Sequence, residues 1–210
     1  MIAVIDYKAG NLTSVVKALR HLGADVTVTD SPVEVKDAAK VVLPGVGHFS
    51  ATRLLDETGL TDAVREVIVR GVPFLGICVG MQWLLAGSEE APDQPGLGHF
   101  QPQCERFPSG GEKVPHVGWN DILVGNSRSQ LLSGVEGGEF VYYTHSYFVP
   151  PNTVYENRGE STNPVAAVSH YIKTFAAVVE HENVMGVQFH PEKSGATGLK
   201  VLKNFLEFSC

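Results

Sequence analysis

In the stretch Pro73 to Gly87, PFLGICVGMQWLLAG, one cysteine stands between two glycines where a buried-strand signal gives way to that of an amphipathic helix. A thiol at such a changeover can serve as a nucleophile. Gly76-Ile77-Cys78-Val79-Gly80 has the form of a nucleophile elbow, a tight strand-to-helix turn whose small flanking residues let backbones approach and hold the reactive atom outward. At a helix start the dipole and unpaired N–H groups favour thiolate over thiol. The Val79 N–H then points toward an oxygen on the attacked carbon, giving half of an oxyanion hole. A buried structural cysteine is the plain alternative, because free cysteine is among the most buried residue types.

A cysteine nucleophile needs an imidazole to take and return a proton, and a third group to hold that imidazole. GVQFHPEKSG supplies both. Gly186 to Phe189 reads as a strand, so His190 and Glu192 can project to the same side of an extended chain, with Pro191 restricting the backbone between them. No other histidine is framed by strand, proline and carboxylate together, and no HxxxH pair suggests a metal site. LPGVGHF, Leu43 to Phe49, is a second glycine loop leaving a strand, and its Val46 or Gly47 N–H can complete the oxyanion hole. It lacks the third glycine of a dinucleotide loop and no GK[ST] follows. A plain turn remains open for it.

Positioning these groups requires a sheet. IAVI, DVTVT, KVVLPG and PFLGIC read as strands. Between them lie helical patterns. The first is capped by Asn11, carries Leu12, Val15, Val16, Leu19 and Leu22 on one face and stops at Gly23; the second opens with a Ser31, Pro32, Glu34 capping box. Two more segments, near His48 to Glu57 and Leu60 to Arg70, precede the cysteine unit. Such alternation builds a parallel sheet with helices on both faces, whose loops meet at the carboxyl edge where ligands bind. From Leu97 onward the pattern changes to short strands, including FVYYTH, NPVAAVSHY, KTFAAVVEH and VMGVQFH, which predict antiparallel or mixed additions to the same sheet. Gly87 to Pro115 reads as a long surface loop inside one domain, with a linker as the alternative. Leu199 to Phe208 reads as a final helix packed back on the sheet.

With 43% hydrophobic and 19% charged residues the 210-residue chain has an ordinary globular composition. A net charge of −7 with scattered Lys and Arg argues against nucleic acid as a partner, and no apolar run reaches membrane-span length. A cytoplasmic enzyme or binding protein is the resulting expectation. Cys78, Cys104 and Cys210 form no CxxC pair, so neither a disulfide framework nor a zinc site is indicated.

GICVGMQ, PGVGHF and a late HPE, in the arrangement seen here, resemble the class I (triad) glutamine amidotransferases. With SEEAP, KVPHVGWN, THSYF and HPEKSG the resemblance extends from Ile2 to the last helix and narrows to the glutaminase subunits of imidazole glycerol phosphate synthase. It implies one α/β domain over residues 1–210, with a flavodoxin-like, mostly parallel sheet extended by antiparallel strands. It also implies that Cys78 attacks the side-chain amide of L-glutamine, that His190 serves as acid and then base, and that Glu192 orients His190. By the same resemblance Val46, Gly47 and Val79 form the oxyanion hole, and Gly45, Gly47, Gln82, Glu90, His145, Ser146 and Tyr147 bind the substrate. Asn11, Tyr142 and Lys193 face a cyclase subunit in a heterodimer that makes imidazole glycerol phosphate, and no cofactor is needed. Val79, where leucine is common in the family, and Tyr143-Thr144, in place of a more usual Phe-Val, are small departures.

Bland readings stand beside these. Glu89 and Glu90 read alone as a solvated loop pair, and Trp119 reads as a buried strand anchor as readily as a substrate contact. A glutaminase of another synthase, a stand-alone cysteine hydrolase and a thiol sensor are the competing functions.

Overall fold

Ile2 to Ile5 place four apolar side chains in a row, and such a run escapes water on both sides only inside a covered sheet. The computed structural model, which describes residues 1–9, 12–125, 129–157 and 160–209, puts β1 (Ile2–Ile5) there, entirely buried. The first half then alternates as expected: α1 (Leu12–His21), β2 (Val26–Thr29), α2 (Pro32–Lys36) and β3 (Lys40–Gly45). A 3-10 turn at Phe49–Thr52 runs into α3 (Arg53–Glu57), and α4 (Leu60–Val69), β4 (Phe74–Cys78) and α5 (Val79–Trp83) follow. Asn11 and Cys210 lie outside the described residues.

In the second half strands dominate. They are β5 (Glu105–Arg106), β6 (His116–Asp121), β7 (Leu123–Val124), β8 (Phe140–His145), β9 (Tyr147–Phe148), β10 (Tyr155–Asn157), β11 (Glu160–Thr162), β12 (Val165–His170), β13 (Thr174–His181) and β14 (Val184–Val187). Helix α6 (Gly195–Glu207) closes the series.

The principal sheet has eight strands in the order β2-β1-β3-β4-β14-β13-β12-β7. Pairings from β2 through β14 are parallel and the remainder antiparallel. The chain moves from β1 outward to β2 and then back past β1 to β3, so right-handed crossovers place α1 on one face and α2 to α4 on the other. Helix α6 packs beside α1, and α2 beside α4. This is the mostly parallel α/β sheet with antiparallel extension that the pattern predicts.

Four local readings are corrected. Ser31 makes no side-chain cap, and its own N–H, the one Glu34 would take in a capping box, is bonded instead to Thr29 Oγ1 at 2.9 Å. Helix α5 is five residues long and buried all round rather than amphipathic. The loop after it folds back, with Leu97 N–H bonded to Trp83 O at 2.6 Å, and covers the side that would face water. FVYYTH does not extend the main sheet: β8 pairs with β6 in a separate two-stranded sheet. Its residues alternate, Val141, Tyr143 and His145 inward and Phe140, Tyr142 and Thr144 more exposed, so it is buried by lying face-on over the core, where Tyr143 meets Phe175 and Phe189. The last helix begins at Gly195, four residues ahead of the expected Leu199, because the turn after His190 runs directly into it.

Candidate active site

Strand β4 ends at Cys78, whose φ of 53° and ψ of −109° lie in a region that costs an L-residue on the order of 1–3 kcal/mol. The glycines around it hold the chain there. A Cβ at Gly80 would sit 1.9 Å from Leu43 O, one at Gly76 2.5 Å from Gly80 O, and one at Gly45 2.8 Å from Gly80 N. Only hydrogen fits at these positions, so α5 lies directly against β3 and β4, with Gly45 paired opposite Cys78. Gly45 therefore works through close packing; it is Val46 and Gly47, beyond the strand, that face the cleft.

The sulfur is not held out into solvent. Cys78 is 3% exposed and forms part of the lining of a cleft of about 240 Å³ at the carboxyl ends of β3 and β4. Val46, Gly47, Val79, Gln82, Glu90, His145, Ser146 and Tyr147 line the same cleft. Residues scattered over a hundred positions of sequence thus converge on one volume.

Glu90 Oε2 accepts the Phe49 N–H at 2.8 Å, and Glu89 Oε2 accepts the Arg106 N–H at 2.8 Å. Each carboxylate anchors a loop, Glu89 from an exposed position, as the solvated reading had it, and Glu90 from a partly buried one. Gln82 Nε2 donates to Tyr147 O at 2.8 Å and reaches Gln188 Oε1 at 3.2 Å. Its amide nitrogen is therefore engaged within the protein, which leaves its carbonyl oxygen for a ligand. Gln188 itself was not legible in sequence, yet its Nε2 lies 3.7 Å from Cys78 Sγ. Its place two residues ahead of His190 along a strand-like run was the one available signal.

His190 is 1% exposed, and its Nδ1 stands 2.9 Å from Glu192 Oε1. The two meet through a 3-10 turn over Pro191–Lys193, which brings the carboxylate back under the ring, and not along an extended chain. With Nδ1–H donating to a carboxylate, Nε2 is the proton-exchanging edge. Nε2 is buried and closes no hydrogen bond in this geometry, but Cys78 is near enough to act on the ring's charge. Burial alone would depress the His190 pKa; Cys78 and Glu192 outweigh burial and raise it to about 9. Backbone bonds fix the turn: His190 N–H donates to Tyr142 O at 2.9 Å, Tyr142 N–H to Ser194 Oγ at 2.9 Å, and Ser194 Oγ–H to His190 O at 2.7 Å.

A thiol on a strained bend, an imidazole backed by a carboxylate, and backbone N–H groups beside a cleft can together perform acyl transfer. Comparison with known proteins agrees: the family model "Glutamine amidotransferase class-I" matches residues 3–208. The chain belongs to this family.

This amidotransferase is 43% identical over 208 residues to the imidazole glycerol phosphate synthase subunit HisH of Caldanaerobacter subterraneus subsp. tengcongensis, covering 99% of this chain and 98% of that one. It is 46% identical to the HisH subunit of Moorella thermoacetica, over 98% and 94% of the two chains. Among solved structures, a crystal structure of a glutamine amidotransferase aligns with a TM-score of 0.72 at 21% identity, over 99% and 98% of the chains. PurLQS from Thermotoga maritima aligns at 0.71 and 20% identity, over 98% and 97%. These structural likenesses carry the fold.

Away from the cleft, Trp119 of this amidotransferase is 55% exposed, so it is neither a buried anchor nor a substrate contact. It lies on the outer face of the β6–β8 pair, edge-on to Tyr142 with ring centroids 6.0 Å apart. Lys193 Nζ lies 5.8 Å from the Tyr142 ring centroid. Among the described residues no group of His, Cys, Asp and Glu is arranged to hold a metal, and no helix is long and apolar enough to cross a membrane.

Three further histidines of the amidotransferase are held neutral. Burial pushes His99 and His116 down to about 4 and His145 to about 3, with His181 adding to the effect at His99. Unfolded, each takes a proton near pH 6.5. Below that pH the unfolded chain binds protons that the fold refuses, so stability is expected to fall as pH drops from 6.5 toward 4, by about 1.4 kcal/mol per unit for each fully excluded group. His190 has the opposite sign. Its raised pKa contributes stability that is complete below 6.5 and lost as pH rises through about 9. Urea midpoints measured across this range are expected to peak near pH 6.5, and a flat profile down to pH 4.5 would contradict the neutral burial of these rings.

Proposed function

We propose that this chain, acting as one catalytic domain across residues 1–210, is the glutaminase subunit of an imidazole glycerol phosphate synthase in histidine biosynthesis. Cys78 Sγ attacks the side-chain amide carbon of L-glutamine, and the oxyanion takes hydrogen bonds from the Val79 N–H and from Val46 or Gly47. His190 delivers a proton to the departing nitrogen, the C–N bond breaks, and ammonia leaves a glutamyl thioester. Water, deprotonated by His190, then cleaves the thioester to release glutamate and restore the thiol. Glu192 holds the imidazole and balances its charge. Gln82, Glu90 and residues 145 to 147 bind the amino and carboxylate ends of the substrate.

The observation that carries this reading is the convergence of Cys78 and the His190–Glu192 pair beside a cleft that also receives Gly47, Glu90 and the 145–147 loop. The HisH relatives supply the pathway. Ammonia passes to a cyclase subunit that forms imidazole glycerol phosphate and aminoimidazole carboxamide ribotide, and Tyr142, Lys193 and Asn11 face that partner. In support, Val117, Trp119 and Phe140, each 55–58% exposed, lie on the same outer face of the β6–β8 pair as Tyr142.

Glutamate release measured with and without the cyclase and its phosphorylated ribosyl substrate tests the whole reading. Turnover is expected to rise on the order of tenfold or more when both are added. Unchanged turnover with a folded, associated pair would defeat it, and activation instead by the synthase partner of another amidotransferase would reassign the pathway while leaving the chemistry.

A further inference from the structure

His116 is absent from the cleft lining, yet it is wired to the wall that receives substrate. It stands opposite His145 in the β6–β8 register, and its Nδ1 lies 3.2 Å from His145 Nε2. His145 Nδ1 in turn lies 2.9 Å from Tyr147 O, which also accepts Gln82 Nε2 at 2.8 Å. A carbonyl oxygen can only accept, so Nδ1 of His145 carries its proton. In a neutral ring Nε2 is then a lone pair, and among the described residues the group within hydrogen-bond reach that can donate to it is His116 Nδ1–H. Each imidazole is thereby limited to a single tautomer.

Nothing about His116 is left to rotate. Its ring is 4% exposed and stacks against Tyr171, with centroids 4.1 Å apart and planes 16° from parallel, and against Tyr143 at 4.9 Å and 22°. A histidine needed only as filling would not have to aim one nitrogen at another imidazole.

We propose that His116 is a positioning residue for glutamine binding: by donating to His145 it fixes the ring that holds the Tyr147 carbonyl, and so sets the 145–147 wall of the cleft. The inference rests on the glutaminase reading and deepens it. His116 touches neither substrate nor thiol, so its removal should loosen the binding of glutamine while leaving the reactivity of Cys78 unchanged.

His116→Phe keeps an aromatic ring between the tyrosines but has no donor. His116→Asn places an amide nitrogen near where Nδ1 stood, whereas His116→Gln carries its amide further out. Assayed with the cyclase present, Phe and Gln are expected to raise KM for glutamine on the order of tenfold with kcat little changed, and Asn to restore most of the loss. With the free subunit, alkylation of Cys78 by iodoacetamide should keep its wild-type rate in every variant, while labelling by a glutamine-shaped diazoketone slows in Phe and Gln.

A wild-type KM in the Phe variant overturns the proposal. So does an equal loss in all three variants that tracks a lowered urea midpoint, since that marks a role in folding alone. If Phe does not fold, the contrast between Asn and Gln decides. A wild-type protein that hydrolyses no glutamine and takes no diazoketone label would instead overturn the glutaminase reading, and this inference with it.

Discussion

Cys78→Ala is expected to lower glutamine hydrolysis by at least about 10⁴-fold, while the cyclase paired with the variant still makes product from added ammonium. The reason is geometric. Ser146 and Tyr147 also line the cleft, but of these three it is Cys78 that, together with Glu192, raises the His190 pKa. Without the sulfur, His190 has no thiol to deprotonate and no covalent intermediate forms. Alanine inherits the same φ of 53°, so the backbone is undisturbed and the urea midpoint should fall only by the part of the His190 stabilisation that Cys78 supplies. Parallel assays of glutamate release and of ammonium-dependent synthesis check this, and glutaminase activity surviving in the variant would remove the nucleophile from the proposal.

Gly80→Ala should be strongly damaging, because the new Cβ would stand 1.9 Å from Leu43 O, a backbone atom inside a buried parallel strand that cannot swing aside. Relief requires moving α5 away from β3. Overpacking a closed strand–helix contact in this way costs about 3 kcal/mol or more. A control separates this clash from loss of glycine's freedom: at Gly98, where φ is +73° and an added Cβ meets nothing within 4 Å, alanine should cost only about 1 kcal/mol. Denaturation midpoints of the two variants test the difference. Near-equal values would show that α5 is not pressed against the sheet as described.

These two expectations show what the sequence could disclose. The elbow glycines were readable because a strand-to-helix turn around a nucleophile demands small neighbours, and β1, β3 and β4 were readable because strands covered on both faces need unbroken apolar runs. The His190–Glu192 pair was legible by composition and misread in geometry, since a proline-led turn and an extended segment look alike over three residues. Ser31 kept the letters of a capping box, but Thr29 Oγ1 takes the N–H that Glu34 would have accepted and the Ser31 side chain makes no cap. The place of Phe140–His145 was hidden for another reason: alternation specifies that one face is covered, without saying whether a strand joins a sheet edge or lies across its surface. Gln188 and His116 were hidden most completely, because what gives them meaning is a partner that the chain brings close only on folding.

Along Phe140–His145 neighbouring side chains look in opposite directions, one set toward the outside and the other toward the core, and the strand's last two residues, Thr144 and His145, reach the reaction chamber. No hinge separates the two sets, for they hang from a single stretch of backbone whose Tyr142 peptide groups are clasped to the His190 turn on both sides. Pressure on the outer rings is therefore mechanically in register with the imidazole and with the chamber wall. A body seated there would feel, and could set, the spacing of the groups that do the chemistry without entering the chamber at all.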